Sequence, residues 1–369
     1  MRGVDRSVAM DEHHQAERSF AALRHGEDGL QRFGDSRDGH PLFADVVGVL
    51  VGHPATCCHE NEQHGEQCAR RISNKHDTIV YEMNDSSIRE IPTRVLVESM
   101  LRADGTIDAG ELYSVGNALG MSDQQVRLCI RRAVADGQLV QDGRGRRALL
   151  RATDAMRKMF EPDVEFVRFA YNQDSGRAPW DGIWHVVAFA IPESSRPARD
   201  AMRAGILRLG GAPIQGGLYV SANAWEPHVA KLAADLGVEQ HLSTLTTSDP
   251  RIGDLHAPAK IAAHLWPLDD VADRYRRLRH VAAKRRAQLS GRRALSRIDH
   301  LTIALELALE FTEAMEPDPL LPPDLLPRPW IGAQARNAFA QCWSRLSALT
   351  DETVPQLFQT YTDAVLVVG

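Results

Sequence analysis

The sequence predicts a multidomain α+β chain with three parts: an N-terminal winged helix-turn-helix, a central ferredoxin-like unit and a helical C-terminal region. Three observations predict it. Between residues 89 and 153, three helix-period segments precede a glycine-rich hairpin signal. Residues 179–266 carry the pattern order β-α-β-β-α-β. From residue 267 to 350 the apolar spacing is almost wholly helical. A length of 369 residues suits two or three domains.

Residues 1–88 stand apart. They are rich in His, Gly, Asp and Glu and lack sustained periodicity. Folding them would recover little apolar burial against the backbone entropy, so they are predicted to be a disordered extension. Within them, His53, Cys57, Cys58, His59, His64 and Cys68 crowd one stretch. Thiolates and imidazoles this dense can hold zinc, but the spacing matches no paired-knuckle pattern, and adjacent cysteines rarely share an ion. The tract is read as incidental, and no metal site is assigned.

In "SIREIPTRVLVESMLRADG", Ile91, Val95, Leu96, Met100 and Leu101 fall at helical spacing, and Gly105 stops the run. A second helix follows in "TIDAGELYSVGNALGM", with Ile107 ahead of it and Leu112, Val115 and Leu119 on one face; Gly120 supplies a tight turn. The third begins at Ser122, a good N-cap, with Gln125 completing a capping box and Asp123 matching the helix dipole. Val126, Ile130, Ala133 and Val134 are its predicted buried stripe, and Gly137 ends it. Two strand-like runs, "QLVQDG" and "RGRRALLRAT", then flank Asp142-Gly143-Arg144-Gly145, a hairpin signal. Three helices, a tight turn and a hairpin describe a winged helix-turn-helix over 89–153.

Residues 154–178 are expected to form a linker helix. The central unit opens on the strand "WHVVAFA" and a helix with Ala198, Met202, Ile206 and Leu209 inward. "APIQGGLYVS" gives two strands about Gly216-Gly217; the helix "WEPHVAKLAADLG" and the strand "LSTLTT" complete the unit. Its helices cover one sheet face, which leaves the other for another domain or a second subunit. Beyond Leu268 come a long Arg-rich helix, the apolar "LTIALELALEFTEAM", a Pro-rich turn and a helix lined by Ala338, Cys342, Leu346 and Leu349. Residues 351–369 are read as a tail.

The chain is 43% hydrophobic and 25% charged, with a net charge of −6. It is no polycation, so contact with nucleic acid must come from local arginine clusters. Five cysteines in this length do not make a disulfide framework. Cys129 and Cys342 sit in helical patterns and read as core residues, which fits a reducing cytoplasm. Neither a signal peptide nor a membrane-spanning run is visible, and a cytoplasmic location is expected.

Opposite the buried stripe of the third helix stand Gln124, Leu128, Arg131 and Ala135, with Gln125 and Arg132 beside them and Arg127 on the flank. Gln and Arg read base edges bidentately in the major groove. Gln124, Gln125 and Arg127, near the helix start, are assigned to bases; Arg131 and Arg132 are assigned to phosphate or near-base positions. Ser122, at the cap, joins this DNA-binding set. Arg144, Arg146 and Arg147 cluster on the hairpin tip, where like charges repel unless an anion arrives. A solvated helix face is the alternative for the helix, and protein contact the alternative for the wing.

The end of the first central strand, Ala190-Ile191-Pro192-Glu193, is where a ferredoxin-like nuclease would carry a metal-holding carboxylate. The sole acid there is Glu193, placed as a first-turn helix acid. His185 reads as a packed or edge residue. No G-x-S-x-G, P-loop or metalloprotease motif is found. No catalytic residue, metal or cofactor is therefore assigned. The Arg274–Arg297 helix is read as a solvated face in preference to an anion-binding surface.

Three separated stretches resemble the PaaX-type transcriptional repressors, regulators of phenylacetic acid degradation genes. "WDGIWHVVAFAIPESSRPARDAMRAGILRLGGAPIQGGLYVS" is similar to their central signature, and "DPLLPPDLLPRPWIGAQARNAFAQCW" to their C-terminal one. "SDQQVRLCIRRAVADGQLVQDGRGRRALLRAT" resembles their recognition helix and wing. The resemblance covers about Ile91 to Leu349. It implies a bacterial repressor, dimeric, with a Cas2-like central domain. For the type member the inducer is phenylacetyl-CoA, which releases the DNA. The expected partners are thus a double-stranded DNA operator, a second copy of the chain and a small-molecule effector, an acyl-CoA thioester on this resemblance. The expected function is a non-enzymatic, ligand-released repressor of a catabolic operon. The alternatives are a metal-dependent nuclease using the Cas2-like domain and a winged-helix protein-interaction module.

Overall fold

The computed structural model describes residues 91–154, 156, 164–348 and 354–366. The 1–88 segment with its His/Cys tract, part of the expected linker helix and Leu349 lie outside the described residues.

The N-terminal part holds three helices, α1 (Thr93–Ser99), α2 (Ala109–Ala118) and α3 (Asp123–Ala135). A small antiparallel sheet joins them, with β1 (Thr106–Asp108), β2 (Leu139–Asp142) and β3 (Leu149–Ala152) in the order β1-β3-β2. Val95, Leu96, Leu112, Val115, Val126, Ile130 and Leu150 interlock beneath these elements, all buried. β1 was not expected as a strand. Three residues are too few to show alternation, and only the pairing of Ile107 with Leu150 across the sheet makes them one. One member of the predicted α3 stripe is wrong: Val134 is 37% exposed. Cys129 is also only partly buried, though packed against the core.

The central part follows α4 (Val164–Asp174). Its strands are β4 (Trp184–Phe189), β5 (Ala212–Gln215), β6 (Leu218–Ser221) and β7 (Leu242–Thr247). Its helices are α5 (Arg196–Arg208) and α6 (Glu226–Asp235). The sheet order is β5-β6-β4-β7 with every pair antiparallel, as a ferredoxin-like unit requires. Along β4 the side chains alternate between two hydrophobic layers. Val187 faces Met202, Ile206 and Val229 of α5 and α6, whereas Trp184 and Val186 face away. That second layer is closed by the chain itself: α7 (Pro258–Leu265) brings Ile261 and Ala262, and Trp266, Leu321 and Leu325 complete it. The Trp184 and Trp266 rings stack at 6.3 Å. Of the two covers open in the sequence, another part of the chain is therefore the one used.

The C-terminal part contains α8 (Leu268–Leu289), α9 (Arg297–Met315), α10 (Ile331–Ser347) and α11 (Gln356–Leu366). The stretch expected to be a tail thus carries a helix. Phe358, Tyr361 and Val365 of α11 are buried, and the Tyr361 ring lies within 5.6 Å of Phe311, Phe339 and Trp343. The linker helix is equally embedded: Phe166, Phe169, Ala170 and Tyr171 of α4 are buried, and Tyr171 donates to the Arg336 carbonyl at 2.9 Å.

Among these helices sits a buried ionic knot. Arg336 on α10 makes a bidentate pair with Asp174 of α4, 2.7 Å on each arm, and also reaches Asp318 at 3.1 Å and the Tyr275 hydroxyl of α8 at 2.6 Å. Burial pushes its charge down, but Tyr275, Asp174 and Asp318 together hold the guanidinium well above its ordinary value. Close by, Leu320 has φ +50°, a conformation that Cβ disfavours. It is held because its N–H donates to Asp318 and its carbonyl accepts from Gln173 (2.8 Å) and Asn223 (2.9 Å). Among the described residues, no helix is long and apolar enough to cross a membrane.

Candidate nucleic-acid interface

The start of α3 is built by its cap. The Ser122 hydroxyl accepts from the Gln125 N–H, and the Gln125 side-chain oxygen accepts from the Ser122 N–H at 2.8 Å. The same oxygen also accepts from the Ser122 hydroxyl. Ser122 and Gln125, both in the predicted DNA-binding set, are therefore already engaged with each other, and of the Gln125 amide only the NH2 stays uncommitted. Gln124, Arg127, Arg131 and Arg132 are exposed and make no hydrogen bond or ion pair among the described residues. Leu128, 45% exposed, adds an apolar contact to the same face.

The hairpin tip between β2 and β3 holds a 3-10 turn, Gly145–Arg147, flanked by Gly143 at φ +85°. Gly143 and Gly145 both take positive φ, which explains the glycines at this tip. Arg144, Arg146 and Arg147 are all exposed. They do not act alike. Arg146 folds back over the Tyr113 ring at 5.1 Å and donates to Asp123 of α3 and to the side-chain Oδ1 of Asn117 on α2, both at 2.9 Å. The Asn117 amide, with Arg146 beside it, holds Asp123 below the usual carboxylate range. Arg144 and Arg147 have no such partner among the described residues. The expectation of three like charges repelling on a loose tip is thus corrected: one of the three is neutralised and ties the tip to α2 and α3. Tyr113, Ser114 and Asn117 were missed because a contact across some thirty residues of sequence leaves no local signal; Arg146 lies 3.5 Å from the Ser114 hydroxyl.

Below this surface, Glu111 in the first turn of α2 takes Arg102 at 3.1 Å and Arg297 of α9 at 2.5 Å. The Arg-rich helix fits neither sequence reading well. Arg277 pairs with Glu310, Arg285 with Glu306 and Arg274 with Glu313, so α8 is laced to α9. Arg279 and Arg286 donate to Gln334 and Gln341 of α10.

At the end of β4, Glu193 is exposed and pairs with Arg199 of α5 at 2.5 Å. His185 is half-buried against Glu226 at 2.6 Å. Burial pushes the Glu226 carboxyl up, but the His185 hydrogen bond and backbone N–H groups outweigh it and hold the group below its ordinary value. Among the described residues, no cluster of three His, Cys, Asp or Glu side chains could hold a metal ion.

The central Cas2-like domain of the PaaX protein matches residues 177–262, and the PaaX-like protein C-terminal domain matches residues 266–356. Residues 177–356 are thus of PaaX type. The PaaX central match spans the sheet with α5 and α6, and the PaaX C-terminal match spans α8 to α10. The exposed surface of α3 and the hairpin lies outside both. No curated protein matches the chain. A solved structure, uncharacterized protein Rv0674 from Mycobacterium tuberculosis, is 23% identical over 69% of this chain and 97% of its own, with a TM-score of 0.44.

Proposed function

We propose that this chain is a DNA-binding transcriptional regulator without enzymatic activity, and that residues 89–153 form its winged-helix reading head. The carrying observation is the uncommitted polar and cationic surface: Gln124, Arg127, Arg131 and Arg132 on α3, beside Arg144 and Arg147 on the hairpin. Base edges suit Gln124 and Arg127, near the helix start; phosphates suit Arg131, Arg132, Arg144 and Arg147. Ser122 and Gln125 set the helix start, and Arg146 sets the wing against it. The PaaX-type domains support a regulator of a catabolic operon; its proposed releasing effector is an acyl-CoA thioester. Two copies on a palindromic operator would put two recognition helices one or more DNA turns apart.

Selection of bound fragments from the host genome, followed by gel shift at several salt concentrations, tests this. A discrete set of palindromic sites and a salt-dependent affinity are expected. Uniform binding to all fragments, or none, would remove the regulator reading. Cleavage of the fragments in Mg²⁺, lost on Glu193→Gln, would establish a nuclease instead.

A further inference from the structure

We propose that two copies of this chain pair antiparallel along β7, with Leu245 on the two-fold axis, merging two four-stranded sheets into one. This names the surface of the dimer proposed above and rests on that reading.

β7 is the terminal strand of its sheet. Ser243, Thr244, Leu245 and Thr246 are exposed, and Leu245, at 51%, is among the few large apolar side chains left to water. The Ala190 N–H donates to the His241 carbonyl at 3.1 Å. Antiparallel alternation then points the N–H and C=O groups of Leu242, Thr244 and Thr246 away from β4, toward solvent.

Sheet edges of this kind are usually protected by charge, proline or a bulge, because a bare row of N–H and C=O groups templates another strand. The opposite edge has that protection: β5 carries Pro213, and its register with β6 shifts between Pro213 and Gln215. β7 has none. Its sequence, LSTLTT, holds no charge and no proline, and its pairing with β4 runs unbroken from Trp184 opposite Thr247 to Phe189 opposite Leu242.

The strand is complementary to itself. With Leu245 facing Leu245 of the second copy, Thr244 meets Thr246 and Ser243 meets Thr247. The flanks also match in charge. The 3-10 turn ahead of the strand carries Glu239 and His241, and the segment after it carries the Asp249–Arg251 pair, so the two-fold brings groups of opposite sign to each end of the paired strands. Because Thr244 and Thr246 point their backbone groups outward, Leu245 falls in the non-hydrogen-bonded position, where facing side chains approach most closely.

The test uses the full chain. Light scattering gives the mass of the wild type and of Thr244→Pro, which loses an outward N–H; circular dichroism checks that the variant stays folded. Leu245→Cys is then oxidised mildly and its cross-links mapped by mass spectrometry, with Thr246→Cys as the register control. Expected are a dimeric wild type, a monomeric Thr244→Pro and a disulfide between chains at position 245 but not 246. A dimeric wild type without that cross-link overturns the β7 interface while leaving the dimer standing. A monomeric wild type, on or off DNA, overturns both. If Thr244→Pro fails to fold, the cross-link alone decides.

Discussion

Arg146 reaches from the hairpin to Asp123 in the first turn of α3 and closes a 2.9 Å ion pair across 23 residues of sequence. The two elements that would meet DNA are thereby coupled, although both side chains are nearly half-exposed. In such a setting the pair contributes little to stability, and its effect is on orientation. Arg146→Ala should weaken operator binding and leave the salt dependence almost unchanged, since no phosphate contact is removed. Replacing Arg144 and Arg147 should instead reduce the slope of log affinity against log salt by about 0.9 per lost contact. Gel-shift titrations at several salt concentrations distinguish the two; an equal slope change for Arg146→Ala would mean that it leaves Asp123 for phosphate.

The contrast between these arginines marks what could be read in advance. The capping box at Ser122 and Gln125 was legible because its donors and acceptors lie within one turn. The order of the central strands was legible because each has its own apolar run and turn glycines. The partners of Arg146, Arg277 and Arg336 were not, because each comes from an element distant in sequence. α11 is a different case. Phe358, Tyr361 and Val365 stand at helical spacing, so the signal was present, but a short segment of mixed polarity did not stand out from a tail.

The Arg336 knot makes a stability prediction. Its side chain is 4% exposed and faces Asp174 and Asp318, themselves 17% and 5% exposed. Removing the cation leaves two carboxylates and the Tyr275 hydroxyl with an unmet charge inside the protein. Arg336→Ala should cost about 3–5 kcal/mol, measured by urea unfolding. Asp174→Asn should cost less, because Asp318 still compensates the guanidinium. A neutral result for Arg336→Ala would show that water reaches the knot.

A third prediction concerns pH. Burial drives the Glu98 carboxyl up to about 7, against the opposing hydrogen bond and charge of Arg94 at 2.5 Å. A carboxyl raised in the folded state binds its proton more tightly than in the unfolded chain. Its contribution to stability is therefore full below the ordinary carboxylate value of 4.5 and is lost as pH rises through about 7. Glu98→Gln keeps the shape without the charge, so its stability should change less than that of the wild type between those limits, by up to a few kcal/mol. Thermal melts at stepped pH give the comparison; parallel curves would mean that Arg94 keeps Glu98 ionised throughout.

The last prediction returns to the tip of β4. Gly217, at φ +83°, accepts the Phe189 N–H on its carbonyl at 3.0 Å, and a Cβ there would lie 2.6 Å from the Phe189 oxygen. Two separate obstacles meet at one residue: a backbone conformation that L side chains rarely adopt, and a backbone atom that cannot step aside without breaking the β4–β6 pairing. Gly217→Ala should therefore destabilise the central sheet by about 1–3 kcal/mol. Gly216, at φ +27° with no atom within 4 Å of its Cβ position, faces only the conformational obstacle, so Gly216→Ala should cost less. Urea midpoints of the two variants test that ranking directly. If the two were equal, the close approach to Phe189 would carry no energetic weight, and the hairpin would be governed by its turn conformation alone.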